Sequence, residues 1–298
     1  MKRLAIFFSL AVCTLAGNAQ THHFLPNWKA NDVYSYYFFK NKYTPKDSTY
    51  KQDRDTVVAT LKVLTTSKKG SEIELKYNYS KSIAPQYPLQ GIALIVSDVK
   101  RAHPIVLQLD STGKYVGLKN WEFLKTKCME AADQTKKYSK GEDVAEVDYW
   151  KKKLDTKEEL ERYFTEDIEF FFMLYGSQLK RKSSFDYADE IKNPYNTEFL
   201  PATTTLETKD DGNAIEVKLF TLPDEATGAQ ELAGIRQMIK QQVDNPELYT
   251  DATIFELQDY YVYLHNTGTG THQTAIYLRY LKEGPKELIE SWKFIAVK

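Results

Sequence analysis

The chain has 298 residues, of which 13% are aromatic and 21 are tyrosines. Its 40 Lys and Arg residues nearly balance its 41 Asp and Glu residues, and the formal net charge is −1. This balance excludes the strongly basic surface of a nucleic-acid-binding protein and also an acidic tail. Tyrosine and phenylalanine favour the pleated, half-buried surface of a sheet, so the composition indicates a β-rich protein.

Residues 1–19 are predicted to be a signal peptide. Two basic residues precede an apolar stretch over residues 4–15, and the small residues Gly17 and Ala19 suit signal peptidase. The stretch is shorter than the ~20 residues that span a bilayer. We therefore expect cleavage after Ala19 and export of a soluble protein to the periplasm or beyond, with a lipoprotein signal around Cys13 as the alternative.

The mature chain, residues 20–298, is expected to form a single β-rich domain. Cys128 is the only cysteine in it, so no intramolecular disulfide can form and the fold must rest on its core. No second apolar segment is long enough to predict a membrane span. His22 and His23 directly follow the cleavage site, where we expect no ordered structure.

Several segments alternate apolar and polar residues with a period of two. This pattern, seen at 57–63, 72–79 and 215–219, is typical of antiparallel strands with one face in water. Glycine ends the intervening turn sequences, because hairpin loops need a positive φ that glycine adopts easily. These turn sequences are TSKKG at 66–70, DSTG at 110–113 and KDDG at 209–212.

Two predicted hairpins resemble each other. Residues 60–77 and 204–219 share the sequence Gly-x-x-Ile-Glu-[Leu/Val]-Lys after a charged turn. Either charged hairpins simply look alike, or the chain contains two similar halves, 20–140 and 184–298. In the second case the helical region 144–181 would join the halves.

Helical spacing of apolar residues marks three regions between the strands. The first follows Asn120 and places Cys128 on its apolar side, where we expect a buried thiol. The second is the region 144–181, in which an apolar stripe runs from Leu160 to Leu179. A third helix is expected from Thr227 to about residue 243.

Capping boxes support two of these helices. Thr156 with Glu159, and Thr227 with Gln230, have the spacing at which each side chain can bond the other's backbone N–H. The order of strands, helices, strands, helix and strands predicts an α+β fold. We expect an antiparallel sheet or an unclosed β-barrel of hairpins, packed with about three to four helices.

The glycine-rich stretch YLHNTGTGTHQTAIYLRY, residues 263–280, is predicted to be a hairpin. A phosphate-binding loop would need a helix N-terminus after its glycines, but β-branched and aromatic residues follow here. His265 and His272 could face each other across the hairpin. Two histidines without a third ligand make a poor metal site, so we predict no metal at this turn.

No catalytic constellation emerges from the other motifs. Three Ser-x-x-Lys matches lack the partner motifs of serine acyl enzymes, and the numerous carboxylates fall mostly on solvated faces. We predict no catalytic residue and no cofactor. The alternative, a hydrolase with paired carboxylates, stays open because sequence spacing does not show which carboxylates meet.

Aromatic residues occur on both faces of two predicted strands. In NDVYSYYFFK, residues 31–40, Tyr34, Tyr36 and Phe38 share one face, and similar character returns at Tyr261 and Tyr263. Such strands need cover on both sides, from the protein itself or from a ligand. These five residues are the candidate ligand-binding set, for an apolar or sugar-like molecule in an aromatic-lined groove.

Short segments carry a resemblance to known families. The turn over 110–115 and Asn120-Trp121 at a helix start resemble exported bacterial β-rich proteins, and a strand–turn–strand unit follows at 261–280. The last unit is similar to a hairpin of lipoprotein carriers of the LolA/LolB type. That resemblance implies an unclosed β-barrel around helices, with acyl chains carried in its concavity. It covers about a fifth of the chain, and no functional residue can be transferred from it.

The combined observations favour a non-enzymatic binding or envelope-maintenance protein. Its expected partner is an apolar small molecule or a protein of the cell envelope, and an assembly role is a further alternative.

Overall fold

The computed structural model describes residues 20–46, 49–78, 91–138, 142–194, 199–224, 255–283 and 286–297. These residues form 13 strands and five helices. The strands are β1 (Thr21–His23), β2 (Val33–Lys46), β3 (Thr49–Ser67), β4 (Gly70–Asn78), β5 (Ile105–Leu109), β6 (Tyr115–Leu118), β7 (Gln178–Lys180), β8 (Ser184–Lys192), β9 (Phe199–Asp211), β10 (Ala214–Pro223), β11 (Phe255–Asn266), β12 (Thr271–Glu283) and β13 (Lys286–Ala296). The helices are α1 (Ile92–Ala102), α2 (Trp121–Tyr138), α3 (Glu142–Lys153), α4 (Lys157–Thr165) and α5 (Glu169–Phe172).

Eleven strands form one antiparallel sheet in the order β6-β5-β4-β3-β2-β13-β12-β11-β10-β9-β8. Two meanders meet in its centre, where β2 pairs with β13 and Phe38 lies opposite Phe294. Strands β6 and β8 form the two edges of the sheet, which is open, and β1 pairs with β7 in a separate ribbon. The prediction of an α+β fold built on an unclosed antiparallel sheet is confirmed.

One face of the sheet carries the core. In β2 the side chains of Tyr36 and Phe38 are buried, whereas Tyr37 between them is 44% exposed on the opposite face. Neighbouring strands add Leu61 and Leu75 to the buried face in register. Because successive side chains of a strand point to opposite faces, the period-two pattern translates directly into one buried face.

The predicted turns lie where the glycines suggested. Gly70 joins β3 to β4 with a φ of 140°, and a Cβ at this position would lie 2.1 Å from the Leu109 carbonyl oxygen. No other residue fits this turn without moving the backbone. The turn between β11 and β12 contains Gly270 with a φ of 65°, so the glycine-rich stretch is the predicted hairpin.

Helices α1 and α4 pack on the first half of the sheet, and α2 packs against both of them. Cys128 on α2 is fully buried, as predicted, and burial raises the pKa of its thiol to about 12. Helix α4 begins where the capping box predicts, because the Thr156 side chain accepts a hydrogen bond from the Glu159 N–H at 3.3 Å. The predicted helix from Thr227 lies outside the described residues.

The predicted continuous stripe from Leu160 to Leu179 is wrong as a single helix. Helix α4 ends at Thr165, the four-residue α5 follows, and Leu179 lies in strand β7. Three consecutive phenylalanines, 170–172, are all buried. Residues of a helix are rotated by ~100° from one to the next, so three in a row cannot share one face. The chain instead bends through successive tight turns, such as Phe171 N–H to the Ile168 carbonyl at 2.9 Å.

Candidate binding cleft

A cleft of about 230 Å³ lies between the helices and the core face of the sheet. Strands β2, β3 and β13 form its floor, and α1 together with the end of α4 forms its opposite wall. The cleft exists because the core-facing residues of β2 change from aromatic to basic: Tyr36 and Phe38 are followed on the same face by Lys40 and Lys42. A lysine ammonium stays close to water, so the helices do not pack tightly over this end of the sheet.

The inner part of the cleft is apolar. Phe38, Val57 and Val96 line it, and each is at most 6% exposed. Phe38 is fixed by a stacked contact with Phe294, whose ring centroid lies 4.5 Å away at an interplanar angle of 27°. The floor is therefore a rigid part of the core rather than a mobile surface.

Three side chains of different chemistry stand in a row across the floor. Trp292 of β13 lies opposite Lys40 of β2, and Lys40 lies opposite Asp55 of β3. The Lys40 ammonium is 5.4 Å from the centre of a Trp292 ring, within cation–π distance. Burial raises the pKa of the Asp55 carboxyl, although Lys40 and Arg101 act in the opposite direction.

An ion pair joins the two helices that form the wall. Lys100 of α1 contacts Asp167, just after α4, at 3.2 Å, and both side chains are largely buried. Glu166 contacts Lys192 at 3.5 Å on the surface. Lys100 and Asp167 thus neutralise each other. This ion pair holds the wall of the cleft in position and leaves neither charge available to a ligand.

Trp292 carries an unsatisfied donor. Its indole Nε1 is buried and has no hydrogen-bond acceptor among the described residues. A buried N–H without a partner costs roughly 1–3 kcal/mol. A ligand or water with an acceptor atom would relieve this cost if the side chains around the buried nitrogen shifted to admit it.

The predicted ligand-binding residues lie in different environments. Phe38 lines the cleft. Tyr36 is part of the core beside Phe171, at 5.1 Å between ring centroids. The Tyr34 hydroxyl donates to Asp32 at 3.1 Å, and its half-buried position raises its pKa to about 12. The structure therefore places one residue of this β2 set in the cleft.

The two predicted residues of β11 lie on the other half of the sheet. The Tyr263 hydroxyl donates to the Phe170 carbonyl at 2.8 Å, so α5 occupies the space above it. Tyr261 packs on Tyr277 at 4.9 Å between ring centroids. Beside this pair, Asp259 accepts a hydrogen bond from the Tyr277 hydroxyl at 3.0 Å, so the surroundings of Tyr261 are partly polar.

Most of the cleft's polar residues were missed from the sequence. Lys100 and Arg101 come from α1, which lies outside the segments predicted to be helical. Its apolar residues Ile92, Ile95, Val96 and Val99 have the spacing of one helix face, and this signal could have located it. Lysines at core-facing positions of β2 are the second signal that could have indicated an unfilled space.

Histidines form a separate buried cluster at the other end of the core. Nδ1 of His265 lies 3.3 Å from Nδ1 of His272, as the predicted hairpin suggested. The expectation of disorder at His22 is wrong, because β1 holds this residue and its ring lies 4.8 Å from Phe24 and 5.7 Å from His265. No group of three metal-ligating residues suitable for an ion occurs in the described ranges.

Comparisons with known proteins add a structural likeness. No protein-family model and no curated protein sequence matches the chain. The chain is similar to a solved structure that describes lipid–protein interactions in lipovitellin, with 12% sequence identity and a TM-score of 0.43. The similarity covers 91% of this chain and 25% of that chain, so this chain spans about a quarter of its length. A likeness at this level does not identify a ligand. None of the helices in the described part of the chain is long and apolar enough to cross a membrane.

Proposed function

We propose that this protein is exported and binds a small amphipathic molecule in the cleft between α1, α4 and the sheet. The observation that carries the proposal is the combination of an apolar floor with an unsatisfied donor. Phe38 and Val57 offer apolar surface beside the buried, unpaired Trp292 N–H. Ligand sites typically combine such a floor with a few polar groups that fix orientation.

The size of the cleft limits the ligand. Sites for drug-sized molecules enclose roughly 300–1,000 Å³. At about 230 Å³ the cleft is smaller and holds a compact molecule or the head of a longer one. The resemblance of residues 261–280 to lipoprotein carriers supports an apolar ligand, and the predicted signal peptide supports export.

Filling the cleft from α1 tests this proposal. Ser97 lines the cleft, whereas its exposed neighbour Asp98 does not. We expect wild type and the matched control Asp98→Phe to bind the neutral fluorescent probe 2-naphthalenemethanol saturably, and Ser97→Phe to bind it at least tenfold more weakly because the phenyl ring occupies the site. Fluorescence titration measures the affinities, and thermal melts verify that all three proteins are folded.

Equal probe affinity in Ser97→Phe and wild type would contradict binding at this site. Mass spectrometry of small molecules retained by the purified wild type is the complementary measurement. A retained molecule should be absent from Ser97→Phe and present in Asp98→Phe.

A further inference from the structure

We infer that the cleft selects an anionic amphiphile, with an acidic head group at Lys40 and Trp292 and an apolar body over Phe38. This inference rests on the proposed binding function and adds the chemical class of the ligand. It follows from which polar groups of the cleft already have partners and which do not.

Lys40 is the cation that the cleft leaves available. Within the described residues its ammonium makes no hydrogen bond or close ion pair and instead lies over the Trp292 ring. Lys100, by contrast, contacts both carboxylate oxygens of Asp167, at 3.3 and 3.2 Å. An incoming acidic group would therefore meet Lys40 without breaking an existing ion pair.

The indole N–H of Trp292 is a second donor near that cation, and a ligand acceptor reaches it after a shift of the side chains that bury the nitrogen. Trp292 and Lys40 are direct neighbours across the β2–β13 pairing, and the indole nitrogen has no acceptor among the described residues. Tryptophan can only donate, so the group that satisfies it must be an acceptor. A carboxylate accepts from both donors, and charge-assisted hydrogen bonds are about twice as strong as neutral ones.

Asp55 is the negative charge that opposes an acidic ligand at this site. It lies directly opposite Lys40 on β3, and its carboxyl also interacts with Arg101 across the cleft. Asp53, on the same face of β3, Glu166 and Asp167 are the other acidic groups nearby, and each of these three has a lysine partner. Removing the Asp55 charge should therefore make the cleft more favourable to an anion.

Three ligands with the same body and different heads test this inference. They are 2-naphthoate, 2-naphthalenemethanol and 2-naphthylmethylammonium, an anion, a neutral alcohol and a cation. We expect wild type to bind 2-naphthoate about tenfold more tightly than the alcohol, and the ammonium compound most weakly. Isothermal titration calorimetry at neutral pH measures all three affinities.

Matched variants test whether Lys40 and Asp55 cause the preference for an anionic ligand. Lys40→Met keeps the length of the side chain and should bind 2-naphthoate no better than the alcohol, with Lys40→Gln as a second variant. Lys42→Met is the control, because Lys42 is the next core-facing lysine of β2, lies 3.8 Å from Glu290 and does not line the cleft. Asp55→Asn should bind 2-naphthoate several-fold more tightly than wild type.

The indole resonances provide a direct readout of the head-group position. The chain has four tryptophans, and a Trp292→Phe variant identifies the Trp292 N–H signal in a ¹⁵N–¹H spectrum. Saturation with 2-naphthoate should move this signal downfield, as expected for a new hydrogen bond to a carboxylate. An unmoved Trp292 signal at saturation would overturn the assigned head-group site.

The possible failures separate the two proposals. Equal binding of the anion and the alcohol, both blocked by Ser97→Phe, would overturn the ligand class and leave the binding function standing. Tighter binding of the ammonium compound, or weaker 2-naphthoate binding by Asp55→Asn, would also overturn the ligand class. Absence of binding by all three compounds would count against both.

Discussion

His265 and His272 are held uncharged by their burial beside the β11–β12 turn. Burial lowers the pKa of His265 to about 4, with His22 acting in the same direction, and lowers the pKa of His272 well below its ordinary range. The sequence predicted that the pair would meet across a hairpin. It could not predict their burial, because that depends on β1 and on aromatic side chains such as Tyr175, whose ring lies 4.8 Å from His272.

We expect the free energy of unfolding to fall as the pH is lowered from about 6.5 to 4. Between these two pH values His265 is protonated in the unfolded state and neutral in the folded state. The unfolded state therefore binds more protons, and lowering the pH favours it. Above pH 6.5 the residue is neutral in both states and contributes nothing. The lowered pKa of His265 corresponds to a loss of at most about 3 kcal/mol in the free energy of unfolding by pH 4.

Urea unfolding at pH 7.5 and pH 5.0 measures this acid sensitivity. His265→Phe should lose a substantial part of it, whereas the control His103→Phe should keep it, because His103 packs on Phe123 away from the cluster. Identical acid sensitivity in wild type and His265→Phe would show that other groups cause it.

The short helix α5 could not be predicted from the spacing of apolar residues. The apolar stripe correctly indicated that its own large apolar residues between 160 and 179 are buried, and Leu160 and Phe164 are fully so. Helical spacing could not show the break after Thr165, because a run of phenylalanines fits a helix stripe and a series of tight turns equally well. Thr165 is the last residue of α4, and its hydroxyl donates to the Glu161 carbonyl at 2.7 Å.

Phe171→Ala should destabilise the protein by about 3–5 kcal/mol. Phe171 is 1% exposed and packs against Phe172 and Phe294, so its removal leaves a cavity in the centre of the core. Chemical unfolding of the ligand-free protein measures the loss. Met173→Ala is the matched control, because Met173 is 41% exposed and belongs to the same turn.

The alternative for this segment is a lid over a ligand. In that case Phe171→Ala would leave the melting temperature nearly unchanged and alter ligand retention instead. An unchanged melting temperature without ligand would therefore contradict a core role.

At the level of the whole chain, the fold class was predictable and the strand order was not. Period-two segments and glycine turns predict hairpins between neighbouring strands, and these pairings are local. The central pairing of β2 with β13 joins residues far apart, as in the hydrogen bond from the Asn41 side chain to Ser291, 250 positions away at 3.1 Å. No local pattern encodes such a pairing. The cleft depends on this pairing, because it brings Trp292 beside Lys40.

The proposed export predicts a specific N-terminus for the mature chain. Expression of the full sequence in a bacterial host should yield protein whose N-terminus is Gln20, since Gly17 and Ala19 precede the expected cleavage. N-terminal sequencing of the periplasmic fraction tests this. Recovery of cytoplasmic protein that retains Met1 would contradict export, and a lipid-modified Cys13 would support the lipoprotein alternative.

The meeting of the two meanders at β2 and β13 also sets the order of folding. Contacts between residues distant in sequence form slowly, because a long loop must close before they stabilise anything. A chain synthesised from its N-terminus releases β2 long before its partner, so the hydrogen-bonding edge of β2 stays open while the rest of the chain emerges. An open edge is a template for pairing with other chains. The pairing of β2 with β13 is therefore the step at which folding and aggregation compete.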